Sequence, residues 1–154
     1  MLINNIRDTL YLVYCLDVSQ VLMQLVYIEA LPSGLDKEAL LDALLAREEL
    51  ASTAIGNGIA IPHVRRFGSE SLQQDIVVVA YLFAPVDWKA PDGLPVHTLF
   101  LVLAKDEASH LELLAEIAHV ASDERFVEFL KTMPERDALV ERIKAFEESS
   151  AAKS

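Results

Sequence analysis

The sequence predicts a single α/β domain: a mixed β-sheet with buried central strands between two layers of helices, and a tight hairpin at the sheet end. Three observations carry that prediction. Residues 76–83 and 96–104 are almost continuously apolar rather than alternating, the pattern of strands covered on both faces. Asn57-Gly58 separates two short β-compatible runs, a strong local hairpin signal because both turn positions must accept a positive φ. Segments with helical periodicity precede and follow these strands, which places helices on the faces of the sheet. With 154 residues, 53% of them hydrophobic, the chain can bury one sizeable core.

Taken in order, residues 11–15 are aromatic and aliphatic and read as a strand that stops at Asp17. Ser19 opens a helix with Val21, Leu22, Leu25 and Ile28 on one face, closed by the turn cluster Pro32-Ser33-Gly34. Asp36 is the expected N-cap of a second helix, which carries Leu40, Leu41, Leu44 and Leu45 and runs out near Arg47 or Glu49. The hairpin around Asn57-Gly58 follows. Pro62 has no amide to donate and should end its second strand, leaving His63 just beyond. Residues 64–74 read as a polar loop holding Arg65, Arg66 and Gly68.

Residues 84–95, with Pro85, Pro91, Pro95 and Asp92-Gly93, connect the two central strands. Ser109 and Glu112 then read as a capping box, opening a helix with Leu111, Leu114, Ala115 and Ala118 on one stripe. A further helix carries Phe126, Val127 and Leu130. The last starts near Pro134 and buries Leu139, Val140, Ile143 and Phe146. The domain is expected over residues 1–148, with a flexible tail over the small and polar residues 149–154.

The composition narrows the function. Thirteen Lys and Arg against 24 Asp and Glu leave a net charge of −11, opposed to nucleic-acid binding and to adsorption on an anionic membrane. The lone Cys15 excludes an intrachain disulfide and any cysteine-cluster zinc site. The longest uncharged apolar stretch, residues 76–86, is far short of the roughly 20 residues a spanning helix needs, so no stable membrane insertion is expected. Residues 10–16 resemble a short signal core, but only Arg7 precedes them and Tyr14 is bulky where cleavage sites want small residues. The expected location is the cytoplasm.

Four histidines are the candidates for chemistry. His97, in or beside a central strand, and His119, late in its helix where a cation meets the C-terminal dipole, read as structural. His110 follows the expected N-cap Ser109 and so lies beside amides with no intrahelical partner, a setting that favours anions. His63 follows a glycine-bearing hairpin and a rigid proline, which suits a half-exposed nucleophile or ligand. His63 and His110 without a paired acidic ligand make a poor zinc site, which disfavours a metallohydrolase.

The segment from Arg47 to His63, with Gly-Asn-Gly-Ile-Ala-Ile-Pro-His at its end, resembles the active-site segment of phosphotransferase-system enzyme IIA domains. The class is the fructose/mannitol type, which includes the nitrogen-regulatory IIA proteins. The resemblance continues through Ala90-Pro-Asp-Gly-Leu-Pro-Val96 and His110-Leu-Glu-Leu-Leu-Ala, covering residues 11–146. It implies a phosphocarrier in which His63 takes a phosphoryl group from HPr or its nitrogen-branch paralogue, with His110 as active-site neighbour and Arg47 as the site's cation. It implies no metal and no bound cofactor. The acceptor would be a IIB domain, or the phosphorylation state would set which target proteins are bound. A stand-alone regulatory member is the favoured expectation; the alternatives are a sugar-specific transport component and a binding module that is not phosphorylated.

The chemistry suits the residue types, since an imidazole of ordinary pKa about 6.5 offers a neutral nucleophilic nitrogen near neutrality. Phosphoryl transfer then needs positioning and donors for spreading negative charge. Negative residues are expected on the rim, where a basic donor would dock. One departure from the family is Val64, where a small residue is usual; a β-branched side chain there is expected to crowd a partner or fix the loop. The apolar cluster within residues 1–31 is a candidate surface for a homodimer.

Overall fold

A computed structural model describes residues 1–153, apart from 13, 14, 16, 28–30, 33, 65–71 and 73. It contains α1 (Leu2–Asn5), β1 (Ile6–Leu12), α2 (Val18–Val26), α3 (Lys37–Leu50), β2 (Ala54–Gly56), β3 (Ile59–Ala60) and β4 (His63–Val64). These are followed by β5 (Ile76–Val86), β6 (Val96–Leu103), α4 (Glu107–Ala121), α5 (Glu124–Lys131) and α6 (Arg136–Lys153). The six strands form one mixed sheet in the order β1-β5-β6-β3-β2, with β4 also paired to β6. β5 and β6 are antiparallel at its centre, while β1 runs parallel to β5, and β3 and β4 run parallel to β6.

The two apolar runs are the central strands, as their composition requires. Val78, Ala80 and Leu82 of β5 face a core completed by Leu22 and Leu25 of α2 and Leu40 and Leu44 of α3. Val77, Val79 and Tyr81 face the other core, with Leu113 and Ile117 of α4, Phe126 of α5 and Leu139 of α6. Each face of the sheet is thus closed by its own helical layer, and period-2 alternation divides one continuous apolar strand between two cores.

Several elements differ from expectation. The first strand occupies residues 6–12 rather than 11–15, and residues 13 and 14 lie outside the described ones. It is an edge strand, so Arg7 and Asp8 are exposed within it and dilute its apolar pattern. α2 is capped by Asp17 and not by Ser19: the Asp17 carboxylate accepts from the Gln20 amide at 2.9 Å and from the Ser19 hydroxyl at 2.8 Å. Those bonds hold the Asp17 carboxyl below its ordinary pKa, the Gln20 amide foremost. Ile28 and most of the loop expected over 64–74, namely residues 65–71 and 73, lie outside the described residues.

α4 begins a turn earlier than the capping-box reading. Asp106 is the N-cap, and the Ser109 amide donates to its carboxylate at 2.8 Å. Two N-cap residue types three positions apart compete here, and the carboxylate wins the position. The buried stripe is accordingly Ser109, His110, Leu113, Ile117 and Val120, while Leu111, Ala115 and Ala118 are exposed. The helices carrying Phe126 and Leu139 match expectation, although α6 starts at Arg136 and continues to Lys153, through the segment read as a tail.

Candidate active site

The site is built outward from the hairpin. Asn57 and Gly58 both take positive φ, 57° and 78°, and turn β2 back into β3. The turn is held from three directions. Asp92 accepts from the Asn57 amide at 2.8 Å, the Asn57 side-chain amide donates to the Ala121 carbonyl at 3.1 Å, and the His97 amide donates to the Gly58 carbonyl at 2.8 Å. Backbone donation from Asn57 and then Leu94 holds the Asp92 carboxyl below its ordinary pKa. A Cβ at position 58 would come within 2.3 Å of the His97 ring, so glycine is required there by space as well as by φ.

β3 ends at Ala60, ahead of Pro62, but a further short strand follows directly. Ile59 pairs with Thr98 and Ala60 with Leu99; after Ile61 and Pro62 the same register resumes, His63 with Val102 and Val64 with Leu103. Pro62 contributes the group it does have, since the Val102 amide donates to its carbonyl at 3.0 Å. The break is therefore a gap in one ladder line, and His63 sits in a short strand rather than in a loop.

The half-buried His63 ring places Nδ1 2.7 Å from the Ile61 carbonyl oxygen. A carbonyl only accepts, so Nδ1 carries a proton, and in the neutral ring the lone pair is on Nε2. The His110 ring lies 5.0 Å away, centroid to centroid, at a tilt of 59°. His110 is only 4% exposed, and its backbone amide donates to the Asp106 carbonyl at 3.1 Å. It is the fourth residue of α4 rather than the first, so its own amide is satisfied within the helix.

Arg47 lines the same cleft, about 960 Å³ between the C-terminal half of α3 and the start of α4. One Arg47 Nη1–H donates to the Ala51 carbonyl at 2.7 Å, so the residue also closes the end of its own helix. The cleft walls are otherwise mostly apolar, with Ala43, Ala46, Leu111 and Leu114, and Glu49 at the rim. Leu50 is 84% exposed and Leu111 55% beside it. Val64 is 6% exposed and packs into the core on the α2–α3 face. Its bulk packs mainly inside the protein although the residue also lines the cleft, which argues against crowding of a partner; the loop it is otherwise expected to fix lies mostly outside the described residues.

Glu48, Thr53 and Trp88 escaped the reading of the sequence. The Glu48 carboxylate accepts from the Thr53 amide at 3.1 Å, from the Thr53 hydroxyl, and from the buried Trp88 indole at 3.1 Å. These bonds tie the end of α3 to the start of the hairpin and to the connector before β6. His97 and His119 take structural positions: His97 beneath the hairpin turn, His119 in the last turn of α4 with its ring 5.2 Å from that of Phe146.

Residues 12–146 match the family described as "Phosphoenolpyruvate-dependent sugar phosphotransferase system, EIIA 2". The chain belongs to this enzyme IIA family. Among curated relatives, the nitrogen regulatory protein of Pseudomonas aeruginosa is 43% identical over 106 residues, 68% of this chain and 67% of that one. The fructose-specific EIIABC component of Bacillus subtilis is 32% identical over 70% of this chain but only 17% of that longer protein. In three dimensions the nitrogen regulatory protein IIA-Ntr of Neisseria meningitidis superposes with a TM-score of 0.76 at 28% identity, covering 92% of this chain and 94% of that one. The mannitol IIA of Escherichia coli, at TM-score 0.64 and 20% identity over 79% and 85% of the two chains, shares the fold. Mixed sheet, paired helical layers and hairpin are thus those of enzyme IIA domains. No helix among the described residues is long and apolar enough to cross a membrane.

Proposed function

We propose that this enzyme IIA protein is a cytoplasmic phosphocarrier that accepts a phosphoryl group on Nε2 of His63. The observation that carries the reading is the Nδ1–H of His63 donated to Ile61 across 2.7 Å. In the transfer, the Nε2 lone pair attacks phosphorus in line while the nitrogen–phosphorus bond of the donor phosphohistidine breaks. The bonding pair returns to the donor ring, and the His63 ring, keeping its Nδ1 proton, becomes cationic. A hydrogen bond from that ring to a backbone carbonyl strengthens as the charge appears, which lowers the barrier. His110 and Arg47 would supply donors for the phosphoryl oxygens.

The donor in this reading is HPr or a nitrogen-branch paralogue, seated on the exposed Leu50 and Leu111 beside the cleft with Glu49 facing its basic rim. A regulatory role is favoured over sugar transport by the 43% identity to a nitrogen regulatory protein and by the IIA-Ntr structural match. In the regulatory role, phosphorylation state selects the target protein; in the transport role, a IIB domain takes the phosphoryl group. The burial of Val64 removes the main motive for a binding module that is never phosphorylated. A homodimer through the exposed Met23 and Tyr27 of the α2 end is compatible with either role.

Incubation with enzyme I, HPr and phosphoenolpyruvate is expected to place an acid-labile, base-stable phosphate on the protein. His63→Ala should abolish the label. Labelling of His63→Ala at the parent level would show that His63 is not the acceptor.

A further inference from the structure

At the far end of the same ladder lies a second cleft that phosphoryl transfer does not use. His97 is the second residue of β6 and Val102, the partner of His63, lies five residues on, so the two histidines are separated by about 17 Å of strand. The cleft measures about 490 Å³, within the size range of small-molecule sites. Its lining includes the apolar Val127, Pro85 and Pro95, with Leu94 51% exposed beside them. One wall is the Asn57-Gly58 turn. The opposite wall is α5, which presents Glu124, Glu128 and Lys131 on one face, at spacings of four and three residues.

Two of these three charges are paired within the protein, and one carboxylate is left over. Lys131 Nζ is 2.9 Å from Glu128, an exposed pair that exchanges partners at little cost. Glu124 makes no ion pair among the described residues. Behind them burial lowers the pKa of the His97 ring, and the Lys131 ammonium lowers it further. The cleft therefore joins an uncompensated carboxylate, an ammonium with a weakly held partner and apolar lining residues. A cation alone would leave Lys131 unused, and an anion alone would meet two carboxylates.

We propose that this cleft binds a small zwitterion of the amino-acid class, its ammonium toward Glu124, its carboxylate toward Lys131, and an apolar side chain over Val127 and the two prolines. Binding there is independent of phosphoryl transfer, so it stands or falls separately from the assignment of His63.

The test is a titration of the full-length, 15N-labelled protein followed through backbone amides. L-Leucine is the first probe, followed by the other proteinogenic amino acids. Leucinol, which lacks the carboxylate, and isocaproate, which lacks the amine, are the controls. The expected result is saturable shifts at Gly58, His97 and Lys131 with at least one amino acid. Both controls should bind about tenfold more weakly, as should the amino acid itself to Lys131→Met and to Glu124→Gln. Both substituted side chains are exposed, so the variants should fold as the parent does. Absence of saturable shifts at millimolar concentration for all the amino acids overturns the site. Equal binding by either control, or undiminished binding by both variants, overturns the zwitterion.

Discussion

His63 and His97 occupy opposite ends of one β-ladder and show how the same side chain is used in two ways. At the hairpin tip, the backbone around His97 is tied at Gly58, Asn57 and Asp92, and its ring fills the space that a side chain at position 58 would need. At the other end His63 follows a break at Ile61-Pro62, has a single-sided ladder behind it, and tilts over His110 in an open cleft. The locked tip anchors the ladder whose far end carries the proposed acceptor His63. A site held within a fraction of an ångström needs such rigid support.

That contrast can be broken at the reactive end first. His110→Ala is expected to slow phosphorylation of His63 about a hundredfold, the effect of removing one donor to developing negative charge. Stopped-flow or quench measurements with phospho-HPr would record it, and an unchanged rate would remove His110 from the chemistry. The locked end is broken by Gly58→Ala, which combines a positive φ with overlap of the His97 ring. A loss of about 3 kcal/mol of stability is expected in urea unfolding. Adding His97→Ala should recover part of it, because the overlap is relieved while the φ penalty remains.

Just beyond His63 on the same ladder lies Val64, packed inward. Val64→Ala should cost about 2 kcal/mol of stability with little change in the phosphorylation rate. A faster rate without loss of stability would return Val64 to the role of crowding the partner. The smallest effect concerns Asp92, whose folded-state pKa is depressed below its unfolded value by the Asn57 and Leu94 amides. Its contribution is complete above the unfolded pKa of about 3.9 and is lost as pH falls through the lower folded value. Thermal melts of Asp92→Asn should therefore be less stable than the parent near neutrality, and the difference should shrink as pH drops below about 4.

The elements legible in the sequence were those whose signal is local. The central strands announce themselves because burial on both faces forbids polar alternation, and Asn57-Gly58 does so through its backbone demands. β1 was displaced in the reading because an edge strand tolerates Arg7 and Asp8, whereas the aromatic run after it looks more strand-like. α4 was misphased because Asp106 and Ser109 are both good N-caps, and Leu111, Leu113 and Leu114 leave more than one apolar stripe to choose from. His63 and His110 were found through their local settings and the family resemblance. Glu48, Thr53 and Trp88 had no such signal: Trp88 is 40 positions from Glu48, and nothing near any of the three marks the bond between them.

Pro62 has a further consequence, for solubility. A protein that offers a histidine from a short outer strand also offers strand edge to any extended chain that passes. Among the described residues β4 pairs only with β6, which leaves its other side without a sheet neighbour. Two residues are too few to template a foreign strand, and the proline in front of them supplies no donor with which to lengthen the pairing. Pro62 thereby also guards the strand edge beside His63 against edge-to-edge aggregation.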